Sequence, residues 1–329
     1  MQVAELTTPA LIVDAGALEH NLKTMAEALP GSRLRPHVKA HKCTSLARRQ
    51  AEAGHPGFTC ATIREVEGMA AAGLGQDLLL ANEVLDCSRL GVLEARVTVA
   101  VDSEATIDAA ARGGVKEVVI DVNIGMPRCG CAPHDAGRLA DLARAAGLEV
   151  RGVMGYEGHV VGLEDRATRE ELTLQCVELL LAAHGQVGGE LISAGGTGTY
   201  DTNTAASEIQ AGSYALMDTT YAKLDIPFRQ ALAVMSTVIS VNPNGYAVCN
   251  SGLKSLGMDH GNPAMDDGHS VFLVSDEHIT FGPASPVTVG DLVRVRPAHV
   301  DPTVAYHERM HLVAGDAVLE TWDVDLRGW

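Results

Sequence analysis

The feature that most limits the fold is an alternation. Through the first two-thirds of the chain, short apolar runs rich in β-branched residues trade places with stretches rich in Ala, Leu, Glu and Arg. The runs fall at residues 34–38, 58–61, 77–81, 97–101, 117–122, 150–154, 190–193 and 214–217, with helix-like stretches at 44–53, 63–72, 104–112, 136–146 and 166–183. Parallel strands need a crossover between them, usually a helix, and several of these stretches end at Gly or Ala-Gly, a common helix stop. Eight strands in this rhythm predict an α/β chain built on a (β/α)₈ barrel, for which about 250 residues suffice. An open doubly wound sheet is the alternative.

After about residue 228 the texture changes. Short strands at 234–241, 246–249, 271–274, 278–281, 291–297 and 318–324 are separated by Asn-Gly, Asp-Gly or Gly-Asp, the signature of an antiparallel β-domain. The expected division is a barrel over 15–229 and a β-domain over 230–329, with residues 1–14, which include a strand at 10–13, joining the β-domain.

Composition narrows the classes of function. The formal net charge is −17 and aromatic residues make up 4%, which argues against a nucleic-acid backbone, a base-stacking surface or an anionic membrane as partner. No apolar run approaches the ~20 residues of a membrane span. Acidic residues come too early for a secretory signal, and seven cysteines without paired zinc-type spacing do not read as a disulfide scaffold. A cytoplasmic protein with free thiols is the expectation.

Five segments carry chemistry-bearing residues. Arg35-Pro36-His37-Val38-Lys39-Ala40-His41-Lys42 falls where the first barrel strand ends, the face on which barrels place their active sites. A lysine desolvated among other cations has a depressed pKa and serves as an amine nucleophile; the plain alternative is a basic loop. Alternation along the strand end puts His37 and Lys39 on one inward face. Ser193-Ala194-Gly195-Gly196-Thr197-Gly198-Thr199-Tyr200 follows the seventh strand, where barrels often bind phosphate, and Gly212 and Ser213 precede the eighth. Glycines allow close backbone approach there, and amides and hydroxyls supply donors. The segment is neither a dinucleotide fingerprint nor a P-loop.

The loop Asp121 to Gly130 offers Arg128 to an anionic group. Gly155-Tyr156-Glu157-Gly158-His159 offers a ring for stacking and an imidazole for acid–base work. In His299-Val300-Asp301-Pro302-Thr303, extended chain would point His299 and Asp301 the same way, as a half-site for a divalent ion, with His307 and His311 nearby. For each of the last three, an ordinary structural role is the alternative.

Taken in order, these segments resemble the fold-type III pyridoxal-phosphate enzymes, and more narrowly the D-threonine aldolase / D-serine dehydratase family. The likeness runs from Thr8-Pro9-Ala10-Leu11 to His299–Thr303, and its specific parts are the Arg-Pro-His-x-Lys-x-His-Lys string and the late His-x-Asp. It implies pyridoxal 5′-phosphate carried on Lys39, phosphate contacts at Gly195, Gly196 and Thr197, and Arg128 approaching the cofactor ring. It also implies a divalent metal (Mn²⁺, Zn²⁺ or Mg²⁺) on His299 and Asp301, a homodimer, and a small D-amino acid as substrate. The family's dehydratases usually carry Cys as the second metal ligand and its aldolases Asp, so Asp301 points to cleavage of a β-hydroxy-D-amino acid into glycine and an aldehyde, with His159 or a metal-bound hydroxide as the candidate base. A dehydratase, a racemase and a non-catalytic pyridoxal-phosphate-binding protein are the alternatives.

Overall fold

The computed structural model describes residues 1–329, and the chain sorts into two compact units, each discontinuous in sequence. One comprises 25–39, 46–212 and 326–329; the other comprises 1–24, 40–45 and 213–325. The chain opens with β1 (Ala10–Asp14) and α1 (Ala15–Ala28). It continues through α2 (Thr44–Glu52), β2 (Phe58–Cys60), α3 (Ile63–Ala71), β3 (Leu78–Leu80), β4 (Val97–Val101), α4 (Glu104–Arg112), β5 (Glu117–Asp121), α5 (Ala136–Ala145), β6 (Glu149–Met154), α6 (Arg166–Val187), β7 (Leu191–Ala194) and β8 (Glu208–Ile209).

Strands β2 to β8 pair in chain order, all parallel. The segment 34–37 closes the ring, since Leu34 bridges Ile209 on one side and His37 bridges Thr59 on the other. The Arg35 amide donates to Ile209 O and the Thr59 amide to Pro36 O, both at 2.9 Å. The expected barrel is therefore present, with one stave placed differently. No strand forms at 214–217: Ser213–Ala215 is a 3₁₀ turn and Met217 takes a φ of 57°. Tyr214 to Met217 are all buried, so apolarity there reports burial and not a strand. The stave forms at Glu208–Ile209 instead.

The strands read as continuous apolar runs because both faces are covered; all five residues of β4, Val-Thr-Val-Ala-Val, are buried. Leu79, Ala100, Val119, Met154 and Leu191, one from each of β3 to β7, form a shared core cluster. The helices start where the sequence supplies caps. Thr62 accepts from the Glu65 amide, Ser103 from Thr106 and Asp165 from Thr168.

The second unit adds β9 (Leu232–Asn242), β10 (Tyr246–Cys249), β11 (Ala264–Met265), β12 (Ser270–Val274), β13 (Ile279–Gly282), β14 (Leu292–Arg296), α7 (Val300–Tyr306), β15 (Arg309–Ala314) and β16 (Ala317–Asp323). Its sheet runs β12-β13-β10-β9-β1-β15-β16, with β14 also on β9 and β11 on β14. The opening strand β1 lies inside it, antiparallel to β9 and parallel to β15. Val3, Ala10, Ile12, Ala233, Met235 and Val313 form its core cluster. Two strands, β11 and β15, and helix α7 were not expected from the sequence. All seven cysteines are free, and no helix is long and apolar enough to cross a membrane.

Candidate active site

In the barrel unit, the basic string does not stay extended. His37 is the last bridged residue, its amide donating to Ala211 O at 3.1 Å, and Val38–Ala40 turns into a 3₁₀ helix. Lys39 is half-buried within that turn, its amide 3.5 Å from His37 Nδ1. Strand alternation thus stops at His37 and does not itself orient Lys39. Arg35 is not a free cation beside it. It is buried in ion pairs with Glu208 (2.8 Å) and Asp77 (2.9 Å); burial would lower its pKa, but the two carboxylates outweigh that and raise it. His41 and Lys42 belong to the other compact unit.

The glycine turn after β7 is wholly buried from Ser193 to Tyr200. Gly195 has a φ of 81°, and a Cβ there would lie 2.9 Å from Ile209 Cδ1, so both conformation and space require glycine. A Cβ at Gly196 would sit 3.3 Å from Val161 and 3.4 Å from the Tyr156 ring. The amides of these two glycines already have internal acceptors: Gly195 donates to Glu157 Oε2 (3.2 Å) and Gly196 to Thr199 Oγ1 (3.1 Å). Thr197, the next residue, is buried as well. Gly212 is buried at the end of the barrel unit, and Ser213 opens a 3₁₀ turn in the other.

Glu157 organises this turn. It is fully buried and accepts from the Gly195 amide, from Thr199 Oγ1 (2.9 Å) and from Asn203 Nδ2 (3.1 Å). It lies inside the Tyr156–His159 loop, yet no local spacing separates a buried acceptor from a surface glutamate. Tyr156 is half-buried, with the Arg128 guanidinium 5.4 Å from its ring centroid. Arg128 is exposed on a loop folded by Asn123, which accepts from the Gly125 amide and donates to Met126 O, both at 3.0 Å. Burial and the neighbouring Glu83 push the carboxyl of Asp121, at the start of this loop, up. His159 is exposed, with Nε2 3.9 Å from Cys176 Sγ on α6.

In the β-domain unit, His299 and Asp301 meet by a route other than the expected extended chain. His299 is the N-cap of α7 and Asp301 lies in its first turn. Pro302 follows, tolerated there because first-turn amides lack intrahelical acceptors. His299 Nε2 is 3.7 Å from Asp301 Oδ2, close enough for one ion at about 2.0–2.2 Å from each ligand atom to reach both. Asp218 Oδ2 accepts the Val300 amide at 3.0 Å; burial pushes its carboxyl up, against the amides of Tyr221 and Val300. Asp259 Oδ2 lies 2.7 Å from His299 Nδ1, and the His260 ring stacks on His299 at 3.8 Å. Asp218, Asp259 and His260 went unmarked in the sequence because they stand far from residue 299 along the chain. His307 and His311 do not join: His307 pairs with Ser255 O and His311 with Thr321.

Both implied groups find residues that fit. The donor set at α7 is an imidazole with a carboxylate, suited to a divalent ion. In the barrel unit, the Cβ-free turn stands over the Tyr156 ring, and Thr59 Oγ1, beside the His37 bridge, is buried without a partner.

Comparison with known proteins gives concordant matches. Residues 13–219 match the family described as alanine racemase, N-terminal domain, and residues 231–313 match a serine dehydratase domain. A D-threonine aldolase of an Arthrobacter species is 31% identical, with 99% of this chain and 94% of the relative covered. A 3-hydroxy-D-aspartate aldolase of Paracoccus denitrificans is 31% identical, with 100% and 94% covered. The crystal structure of D-threonine aldolase from Filomicrobium marinum superposes with a TM-score of 0.94 at 33% identity, covering 99% of this chain and 97% of that one.

Proposed function

Because the chain belongs to the D-threonine aldolase / D-serine dehydratase family, with an alanine-racemase-type N-terminal barrel, we propose that it is a pyridoxal-phosphate- and divalent-metal-dependent aldolase. Its substrates are β-hydroxy-D-amino acids, cleaved to glycine and an aldehyde. The observation that carries this reading is the His299–Asp301 pair, an imidazole and a carboxylate 3.7 Å apart at the first turn of α7.

Lys39 is the residue that holds the cofactor, Thr197 with the Gly195–Gly196 turn accommodates its phosphate, and Tyr156, His37 and Arg128 attend its ring. Gly212 and Ser213 complete the phosphate contacts. When bound, pyridoxal phosphate supplies an electron sink for the charge left at Cα, and the divalent ion a Lewis acid for the β-hydroxyl. His299 and Asp301 hold that ion, and His159 takes the hydroxyl proton. Asp301, where the family's dehydratases usually carry Cys, favours cleavage over dehydration. A hard carboxylate at 301 would leave a bound ion more oxygen-seeking than a soft thiolate would. The assembly expected from the family is a homodimer.

The match of 231–313 to a dehydratase domain keeps a second reading open, water elimination from the same substrates. A panel of D- and L-β-hydroxy amino acids, with added Mn²⁺ or with chelator, separates the two. D-threonine and D-phenylserine are expected to yield glycine plus the aldehyde only with metal, and the L-isomers to be inert. Pyruvate and ammonia formed from D-serine faster than glycine from any substrate would favour the dehydratase. No product across the panel would favour a binding protein.

A further inference from the structure

We propose that Asp259 is a positioning residue that fixes the ring and the proton of His299, so that Nε2 presents its lone pair beside Asp301. This rests on the reading of His299 and Asp301 as the ion-holding pair. The two ring nitrogens of His299 face different carboxylates at different distances. Nδ1 is 2.7 Å from Asp259 Oδ2, a short hydrogen bond, and Nε2 is 3.7 Å from Asp301 Oδ2, beyond hydrogen-bond reach. A carboxylate accepts and the ring must donate, so the N–H of a neutral imidazole sits on Nδ1 and the lone pair on Nε2. Outer carboxylates commonly orient ligating histidines in this way.

The segment that brings Asp259 there is stitched to α7. Gly257 bridges His299, its amide donates to Thr303 Oγ1 (2.9 Å), and Thr303 Oγ1 donates to His299 O (2.7 Å). Ser255 O meets His307 Nε2 at 2.9 Å. A Cβ at Gly257 would lie 2.3 Å from Pro302 Cγ, so the close approach depends on glycine. Asp218 holds the Val300 amide between the two ligands.

Another arrangement of the same residues is disfavoured by geometry. Asp259, His260 and His299 offer ligand atoms within 4.8 Å of one another. The imidazoles, however, are stacked 3.8 Å apart and 8° from parallel. Their in-plane lone pairs run side by side and cannot converge on one ion about 2.0–2.1 Å from each nitrogen. His260 therefore covers the His299 ring and is not a ligand.

The test is Mn²⁺ titration of the full-length, cofactor-loaded protein, with free Mn²⁺ read by electron paramagnetic resonance and the cofactor's visible absorbance as the control for an intact fold. Loss of Asp259 in Asp259→Ala is expected to weaken Mn²⁺ binding about 10–100-fold. Asp259→Asn, whose amide oxygen still accepts from Nδ1–H, is expected between wild type and Asp259→Ala. His260→Ala should stay close to wild type, and His299→Ala and Asp301→Ala should bind no measurable Mn²⁺. Wild-type affinity in Asp259→Ala, with His299→Ala and Asp301→Ala inactive in binding, would overturn the positioning role and leave the ion-holding pair standing. Loss of binding in His260→Ala as complete as in His299→Ala would overturn it in favour of the three-residue site. Unchanged binding in His299→Ala and Asp301→Ala would overturn the proposal together with the ion-holding reading beneath it.

Discussion

At the scale of single residues, Glu157 does for the glycine turn what Asp259 is proposed to do for His299. Its two oxygens face three donors, the Gly195 amide, Thr199 Oγ1 and Asn203 Nδ2. Glutamine keeps the shape but swaps one oxygen for NH₂, which sets a donor against a donor whichever way the amide turns. A buried donor left unsatisfied costs about 1–3 kcal/mol. Glu157→Gln is therefore expected to weaken pyridoxal phosphate binding by roughly five- to hundredfold, followed as visible absorbance during titration of cofactor-free protein. A lower melting temperature with unchanged cofactor affinity would assign Glu157 to stability alone. The sequence marked the loop but not this residue, because what sets Glu157 apart is burial against a turn 38 residues onward.

At the scale of elements, helix α7 and the segment before it act together. His-x-Asp spacing was legible, but the reason for it was not. Alternation along extended chain would bring residues 299 and 301 to one side, whereas here an extended N-cap followed by the first helical turn leaves them 3.7 Å apart, and only the structure distinguishes the two routes. The element is held by close packing at Gly257. Gly257→Ala forces a Cβ against Pro302, and overpacking of this kind typically costs about 1–3 kcal/mol. The variant is expected to lose stability and Mn²⁺ affinity together, because Thr303 and Asp259 both depend on that approach. Gly185 is the contrast: it is exposed within α6, and a Cβ there would meet nothing within 4 Å. Gly185→Ala should raise stability by roughly 0.5–1 kcal/mol, read by chemical denaturation, and leave metal binding unchanged.

At the scale of the whole molecule, the barrel unit encloses a network of charges. Arg35 and Arg151, both buried, meet at Asp77, with Glu208 on Arg35 and Glu117 and Glu190 on Arg151. Burial would raise the Asp77 pKa, but hydrogen bonds from Arg151 and Arg35 outweigh it and hold it at about 2. A carboxyl depressed in the folded state stabilises fully above its unfolded pKa of about 3.9 and loses that contribution as pH falls toward 2. The amount is on the order of 2 kcal/mol. Denaturation midpoints are expected to fall between about pH 4 and pH 2, with a shallower fall in Asp77→Asn; equal slopes would remove Asp77 from the acid transition. The sequence by itself determined the barrel rhythm, with six of its strands, β2 to β7, and the change to an antiparallel sheet. Strands covered on both faces must be apolar throughout, and tight hairpins must spend Gly and Asn in their turns, so local composition records them. Only the tertiary structure decided the rest. The closing stave at 208–209 is two residues long and defined by its neighbours. The buried partners of Arg35, the acceptors of the glycine amides and the approach of Asp259 to His299 all join residues distant in sequence, and a pairing between distant residues leaves no period or spacing in the chain to be read.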